Sequence, residues 1–325
     1  NSAQINCSQD IYQAFCAAHG SNPAYYAGTY SPGVTSGGNP DLKAERSTSY
    51  TFGMVVQPVR NVTVTLDYWR TKITNLITSP NISSEIYEQY YGNNGVVNVP
   101  GITVIPGQPD PLNPGALPLL GQIAGTFNNQ NAMLGKGIDF SADARFNVTD
   151  TITWQTKANA SYLIRLEQEN DDGTVWRYDG SLGGCSLTSC SGAPRFRLTW
   201  QNTLDFNDRA SLTLTANYTS GYSSTSADAG GTYKDCAASA AAGQLVSYDN
   251  GDAVQCHGPS TFNLDGHGEV KVADQFKLYF DVLNVLDGKP KYDPNAGYGL
   301  YQFNPAWQDR LFMGRYMRVG AKVDF

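Results

Sequence analysis

From Tyr50 to the C-terminus the chain returns repeatedly to one pattern: apolar and polar residues alternate, stop at a turn, and resume. Tyr50, Phe52, Met54 and Val56 alternate with Ser49, Thr51, Gly53 and Val55 until Pro58 to Asn61 interrupt. Val62, Val64, Leu66 and Tyr68 then alternate with Thr63, Thr65, Asp67 and Trp69. A period of two places each set on one face of a strand, so the two runs predict a hairpin. The unit recurs with Ile138, Phe140, Ala142, Ala144 and Phe146, returning through Ile152, Trp154, Ala158, Ala160, Tyr162 and Ile164. A third hairpin carries Phe196, Leu198, Trp200, Leu204 and Phe206, then Leu212, Leu214, Ala216 and Tyr218. A fourth carries Phe262, Leu264, Val270 and Val272, then Phe276, Leu278, Phe280 and Val282, and a last strand runs through Met317, Val319, Ala321, Val323 and Phe325.

The connections sort into two kinds. Those near 58–61, 148–150, 207–209 and 273–275 are brief, whereas those near 74–133, 166–193, 223–259 and 288–313 are long. About nine strands with short turns at one end and long loops at the other give the signature of a membrane barrel, with the loops extracellular. A soluble sandwich also alternates, but it has no need of aromatic rings at its strand ends. Here Tyr68, Phe146, Trp154, Tyr162, Trp200, Phe206, Tyr218 and Phe276 lie near strand ends or turns, as interfacial girdles require. The mean hydropathy of -0.36 is no objection. Alternate residues of a barrel strand face a polar lumen, so the average stays low while the strand spans lipid.

Composition excludes several classes. Charged residues make up only 16% of the chain, and the formal charge is -7. No basic stripe is present to neutralise phosphates, so no nucleic-acid partner is expected. The six cysteines form close pairs, Cys7 with Cys16, Cys185 with Cys190 and Cys236 with Cys256, all in long segments. That pattern suits disulfides in an oxidising compartment, and no metal site is expected. His19, His257 and His267 have no nucleophile partner in the sequence, and nucleophile-elbow and phosphate-loop patterns are absent, so no enzyme and no cofactor are expected. His267, on a polar register beside Asp265 and Glu269, reads as a hydrogen-bonded wall residue. There is no initiating Met and no signal peptide, which points to a mature, processed or partial chain.

Parity narrows this further. The first and last strands both run from the loop side to the turn side, so an odd number of strands begins outside, and a complete even-numbered barrel is not expected. The stretch Asn39-Pro40-Asp41-Leu42-Lys43-Ala44-Glu45, then Ser47-Thr48-Ser49-Tyr50 and Asp67-Tyr68-Trp69, resembles the C-terminal barrel region of TonB-dependent receptors. Phe280-Asp281-Val282-Leu283-Asn284-Val285-Leu286-Asp287 is similar to the family's penultimate strand. The resemblance runs from Asn39 to Phe325, in the family's order and spacing. It implies an all-β fold, a transmembrane antiparallel barrel of about 22 strands around a plugged lumen, of which this chain supplies the last nine or so. Residues 1–45 are then an extracellular loop segment and 46–325 the C-terminal part of the barrel, with the N-terminal plug domain outside this chain.

Arg318, Gly320, Val323 and Phe325 resemble the terminal signal read by the barrel-assembly machinery. The polar register carries Asp67, Asp139, Asp143, Arg145, Lys157, Arg195, Arg197, Asp265, Glu269, Lys271, Lys277, Asp281, Arg318 and Lys322, a wall that either holds a plug or lines a water-filled pore. The loops offer aromatic rings for cargo, namely Tyr87, Tyr90, Tyr91, Trp176, Tyr178, Tyr298, Tyr301 and Trp307. The function implied by the resemblance is energised import of a scarce nutrient, such as an iron chelate or an oligosaccharide, across the outer membrane of a Gram-negative bacterium. Its partners would be the N-terminal half of the same receptor, a TonB-like energy transducer, the assembly machinery and outer-membrane lipid. The alternatives are a passive porin and a structural or adhesive surface barrel paired with a surface lipoprotein.

Overall fold

The computed structural model describes residues 3–78, 82, 84–169, 173–181, 192–223, 237–238, 257–292 and 303–323. In chain order its elements are α1 (Asp10–Ala18), β1 (Gly33–Gly37), β2 (Arg46–Val59), β3 (Val62–Thr78), α2 (Ser84–Gly92), β4 (Ile102–Pro106), β5 (Leu120–Thr126), β6 (Asn128–Asn147), β7 (Ile152–Glu169) and β8 (Val175–Arg177). They continue with β9 (Phe196–Phe206), β10 (Ala210–Thr219), β11 (Tyr222–Ser223), β12 (His257–Gly258), β13 (Thr261–Ala273), β14 (Phe276–Leu283) and β15 (Tyr316–Val323), plus short helices at Pro305–Gln308 and Asp309–Leu311. The chain divides into two compact units, residues 1–46 with 75–130, and residues 47–74 with 131–325.

The first unit has its own core. A small sheet in the order β1-β5-β4 packs with α1 and α2 around Ile5, Phe15, Ile86, Tyr90, Tyr91, Leu120 and Ile123, all buried. Each such side chain contributes about 1.5–3 kcal/mol when taken from water. Tyr90 and Tyr91 bring polar tips into this core, and both are satisfied: Tyr90 donates to the Pro118 carbonyl at 2.9 Å, while Tyr91 accepts from the Leu120 N–H at 3.2 Å and pairs with the Tyr30 hydroxyl. Burial pushes the Tyr91 hydroxyl up to about 12, so it stays protonated. A disulfide between Cys7 and Cys16 fastens α1 to the segment before it. Cys185, Cys190, Cys236 and Cys256 lie outside the described residues.

Deep in this unit His19 and Asp110 are both fully buried. The His19 Nδ1 lies 2.7 Å from an Asp110 oxygen, and its Nε2 lies 2.9 Å from the Leu117 carbonyl. Burial pushes the Asp110 carboxyl up, but hydrogen bonds from Asn113, Asn22 and His19 and from the Leu112 N–H outweigh it and hold the group well below the usual carboxylate range. A depressed carboxyl contributes stability that is complete above its unfolded value, about 3.9, and is lost as pH falls toward the folded one. Amide-exchange protection of α1 and of residues 110–119 is therefore expected to be flat from neutral pH to about 4 and to decline below it. Asp110→Asn should flatten that acid limb; an unchanged limb in the variant would acquit Asp110.

In the second unit nine strands follow one antiparallel path, β15-β14-β13-β10-β9-β7-β6-β3-β2, and β8 adds to β7 beside it. The nine are those the alternation predicts. The sheet does not close on itself: β2 and β15 are its edges. β3, β6 and β7 reach 17, 20 and 18 residues, well beyond the roughly 9–11 that cross a bilayer. The end of β3 and the start of β6 were expected to be loop. Their residues, such as Asn128, Asn129 and Lys136, carry no apolar alternation, and what is buried there, Leu76, Thr78 and Ala132, mixes apolar and polar side chains.

One face of this sheet is apolar and uncovered. Tyr50, Phe52, Met54, Leu66, Tyr68, Phe140, Tyr162, Trp200, Leu212, Leu214, Phe262, Val270, Phe280 and Val319 are all exposed, Phe52 and Val319 to 77%. A soluble protein rarely shows a continuous patch of this extent, so the face is built for a nonaqueous medium. No described helix is long and apolar enough to cross a membrane. Two polar residues on the apolar face are satisfied by neighbouring rings. Thr156 and Asn202 sit opposite each other on β7 and β9. Trp154 of β7 donates to Asn202 at 3.3 Å, and Trp200 of β9 donates to Thr156 at 2.9 Å. The sequence placed these indoles in girdles; the hydrogen bonds make them a brace between adjacent strands as well.

Candidate functional site

The opposite face of the sheet is polar, and strand register sets what meets what. Asp281 of β14 stands between His267 of β13 and Arg318 of β15, each directly opposite it. Its two oxygens take one partner apiece, His267 Nδ1 at 2.6 Å and Arg318 Nε at 2.8 Å. His267 is thus a hydrogen-bonded wall residue. Further along the same face Asp143 pairs with Lys157 at 3.6 Å and Glu269 with Lys277 at 3.2 Å. Charges in these pairs are held by a neighbouring strand, so the wall is locally neutral.

A second node gathers at Asp265. It accepts from Asn263 at 2.8 Å, from Asn217 at 3.3 Å and from the Asn284 backbone N–H at 2.8 Å, and Arg310 approaches it to 3.5 Å. Asn284 ends β14 in the left-handed region, φ 52, which asparagine tolerates better than most residues. Its side chain bonds Gly288 in both directions, and the Val285 N–H reaches the Leu264 carbonyl. The Asn-Val-Leu-Asp segment singled out in the sequence is therefore a hook that fastens the end of β14 to β13.

Glycines on this face let large side chains lie across the sheet. A Cβ at Gly53 would meet the Asp67 carboxylate at 1.9 Å, and one at Gly137 would meet the Trp69 ring at 2.7 Å and the Tyr162 carbonyl at 2.9 Å. Gly320 likewise receives the Tyr279 ring, and Arg318 stacks 5.7 Å from that ring's centre.

Where residues 305–311 pack against β9, β10 and β13 they leave a hollow of about 290 Å³, lined by Arg197, Thr199, Asn217, Asn263, Trp307 and Arg310 among others. A second and more open hollow holds Asp67, Asp139 and the far side of Arg197. At one end of the sheet Asp179, fully buried, is clamped by Arg177 with bonds of 2.7 and 3.1 Å, and by Arg195. Arg195, expected on the wall, serves this clamp.

The structure distributes the aromatic cargo candidates. Tyr90 and Tyr91 are buried in the first unit's core, and Tyr87 lies part-buried beside them on α2. Trp176 lies on β8, Tyr178 is buried next to the Asp179 clamp, and Trp307 is buried against Tyr222, ring centres 4.4 Å apart. Tyr298 and Tyr301 fall outside the described residues. Of the terminal signal, Arg318 takes the polar face and Val323 is exposed with the apolar set, while Phe325 is outside the described residues. The Asp265 node and the Asp179 clamp were not singled out in the sequence. The only hint of the first was the recurrence of amides and acids on the polar register, Asn217, Asn263 and Asp265.

The family described as TonB dependent receptor-like, beta-barrel matches residues 15–285. No curated protein matches the chain. Among solved structures it is similar to the siderophore receptor PirA from Acinetobacter baumannii, at 15% identity and TM-score 0.54 over 89% of this chain and 33% of that one. A mutant ferric enterobactin receptor, PfeA from Pseudomonas aeruginosa in complex with enterobactin, is similar at 17% identity and TM-score 0.50, with 89% and 33% covered. The chain thus spans about a third of the length of these structures, and at such identities the likeness concerns the fold.

Proposed function

The chain belongs to the TonB-dependent receptor family, and from that premise we propose that it is the last part of the barrel of an active outer-membrane importer. Members of this family are outer-membrane transporters and receptors of Gram-negative bacteria. In the proposed reading the exposed apolar face meets lipid, the polar face encloses the lumen, the brief turns are periplasmic and the long connections face outward. A plug and the earlier barrel strands, a TonB-like transducer and the barrel-assembly machinery are the partners, and β15 with Arg318, Gly320 and Val323 is the strand the machinery reads. The cargo is a scarce nutrient of chelate or oligosaccharide type, captured from outside.

The observation that carries this reading is the polar face. Several of its polar groups are tied strand to strand, as at His267, Asp281 and Arg318, which supports a fixed wall suited to a removable protein surface. Energised transport makes a distinct prediction. Cells expressing the complete receptor should take up cargo only while the transducer and the proton gradient are intact, and the purified receptor should pass no steady current in a planar bilayer. Uptake that persists without the transducer, together with steady conductance, would identify a porin.

A further inference from the structure

We propose that the loop-side end of the apolar face carries a binding site for the phosphomonoester headgroup of an outer-leaflet lipid, held by Arg70, Lys136 and Arg165. The leaflet named here rests on the import reading; the site itself does not. The three residues lie on adjacent strands, since β6 stands between β3 and β7 in the sheet. Lys136 is directly opposite Arg165. Arg70 falls in the same row, because the Trp69 ring lies over Gly135 and Gly137 and, further along the same pair of strands, the Arg145 N–H bonds the Asn61 carbonyl. Alternation then fixes their side. Trp69, Gly135 and Gly137 take the polar face, so Arg70 and Lys136 take the other, and Arg165 shares the face of the residue it opposes.

One step toward the turns, the next row on that face is Tyr68, Ile138 and Tyr162, with Ile138 directly opposite Tyr162. The two tyrosines are exposed there. Such rings mark the depth at which hydrocarbon gives way to headgroups. The cations stand just beyond it, and along β3 from Val62 to Arg70 the strand has run about nine residues, enough to cross a bilayer. In β9, β13, β14 and β15, by contrast, every Lys and Arg takes the polar face, namely Arg197, Lys271, Lys277, Arg318 and Lys322.

Three cations in one row work against the sheet, because like charges at facing positions of neighbouring strands destabilise the pairing. Nearby carboxylates answer only part of this. Glu167 bonds Arg165 at 2.8 Å, and Glu169 reaches Lys72, further out on β3, at 4.0 Å. Arg70 and Lys136 have no ion-pair partner among the described residues. Two unanswered charges on strands roughly 5 Å apart match a phosphomonoester, which carries nearly two negative charges near neutral pH and three acceptor oxygens. A phosphodiester brings a single charge, and a zwitterionic headgroup already answers its own.

The complete receptor, purified in a neutral detergent, is mixed with equimolar phosphatidic acid, phosphatidylglycerol and phosphatidylcholine, and the lipid it retains is read by native mass spectrometry. Phosphatidic acid should be retained about fivefold or more over phosphatidylglycerol, with phosphatidylcholine retained least. Arg70→Gln with Lys136→Gln should remove that preference. Arg145→Gln with Lys157→Gln, an equal loss of charge on the polar face, should keep it. Equal retention of the two anionic lipids by the unaltered receptor, or retention of neither, overturns the assignment without depending on any variant, and leaves only long side chains reaching for the interface. A preference that survives the first double variant overturns it as well. Transducer-dependent uptake by cells is scored separately. Its absence would remove the import reading and leave the phosphate site standing, whereas uptake without lipid preference would do the opposite.

Discussion

Replacing Gly121 with valine is expected to unfold the first unit while leaving the sheet of the second intact. Gly121 lies in β5 at the point where pairing with β4 slips, between Ile105 opposite Gln122 and Pro106 opposite Leu120. A Cβ there would fall 2.6 Å from the Gly107 Cα and 2.7 Å from its nitrogen. These are backbone atoms, which cannot swing aside as a side-chain tip does. Gly107 is itself tied down, its N–H bonded to the Leu119 carbonyl at 2.7 Å. Relief would have to come from moving β5, and that would pull Leu120 and Ile123, 1% and 0% exposed, out of the core. Overpacking alone costs about 1–3 kcal/mol, and here the lost hydrogen bond and the disturbed core add to it. Limited proteolysis of the complete receptor should show new cuts between residues 93 and 118 in Gly121→Val. Gly115→Val, whose added side chain meets open space, should remain resistant. Equal resistance of both variants would show that the crossing of residues 107 and 121 is not a structural constraint.

The contrast between the two units explains what the sequence conveyed. In the sheet every strand must present an apolar residue at each second position, so the medium writes a period of two into the chain, and the nine strands from β2 to β15 could be read from it. The turns were legible for the same reason: where the period breaks for only two or three residues, as between Val59 and Val62, a hairpin has no other way to continue. The first unit offers no such signal. Its core is assembled from tyrosines of α2 and from the short strands β4 and β5, contributed by stretches rich in Gly, Pro and Asn. Tyr90 and Tyr91 therefore looked like surface rings available to cargo, although they are core residues whose hydroxyls are bonded internally. The polar wall was legible as a register but not as a network. Alternation states which side Asp265, Asp281 and Arg318 face; it does not state which residue of the next strand stands opposite, and that depends on register across each pair. The hollow at Arg197 and Asn263 is less legible still, because its cover comes from residues 305–311, which follow β14 in the chain and are not continuous with β9, β10 or β13.

Removing the carboxylate of Asp179 is expected to release the end of the sheet around β8. Asp179 is fully buried, and two guanidiniums converge on it, Arg177 through both oxygens and Arg195 through one. The Leu166 N–H also points to it at 3.4 Å. In Asp179→Ala two like charges would face each other across the vacated space. Breaking a buried pair in this way costs about 3–5 kcal/mol, and because both arginines keep 29% exposure the lower end applies, about 3 kcal/mol. The segment around it is also tied by Tyr178 N–H to the Leu166 carbonyl at 2.8 Å, Gly180 N–H to the Ala193 carbonyl at 2.7 Å and Ser223 N–H to the Gly180 carbonyl at 2.8 Å, and by the pairing of β8 with β7. A penalty of this size falls on one short segment at the end of the sheet, so the opening should be local. Hydrogen exchange should therefore quicken by about a hundredfold at the Tyr178, Gly180 and Ser223 amides and stay unchanged in β13 and β14. The double variant Asp179→Ala with Arg195→Ala should recover part of the protection, since it removes the repulsion along with the partner. If Asp179→Ala alone leaves those three amides as protected as before, the carboxylate is not what holds β8 to the wall.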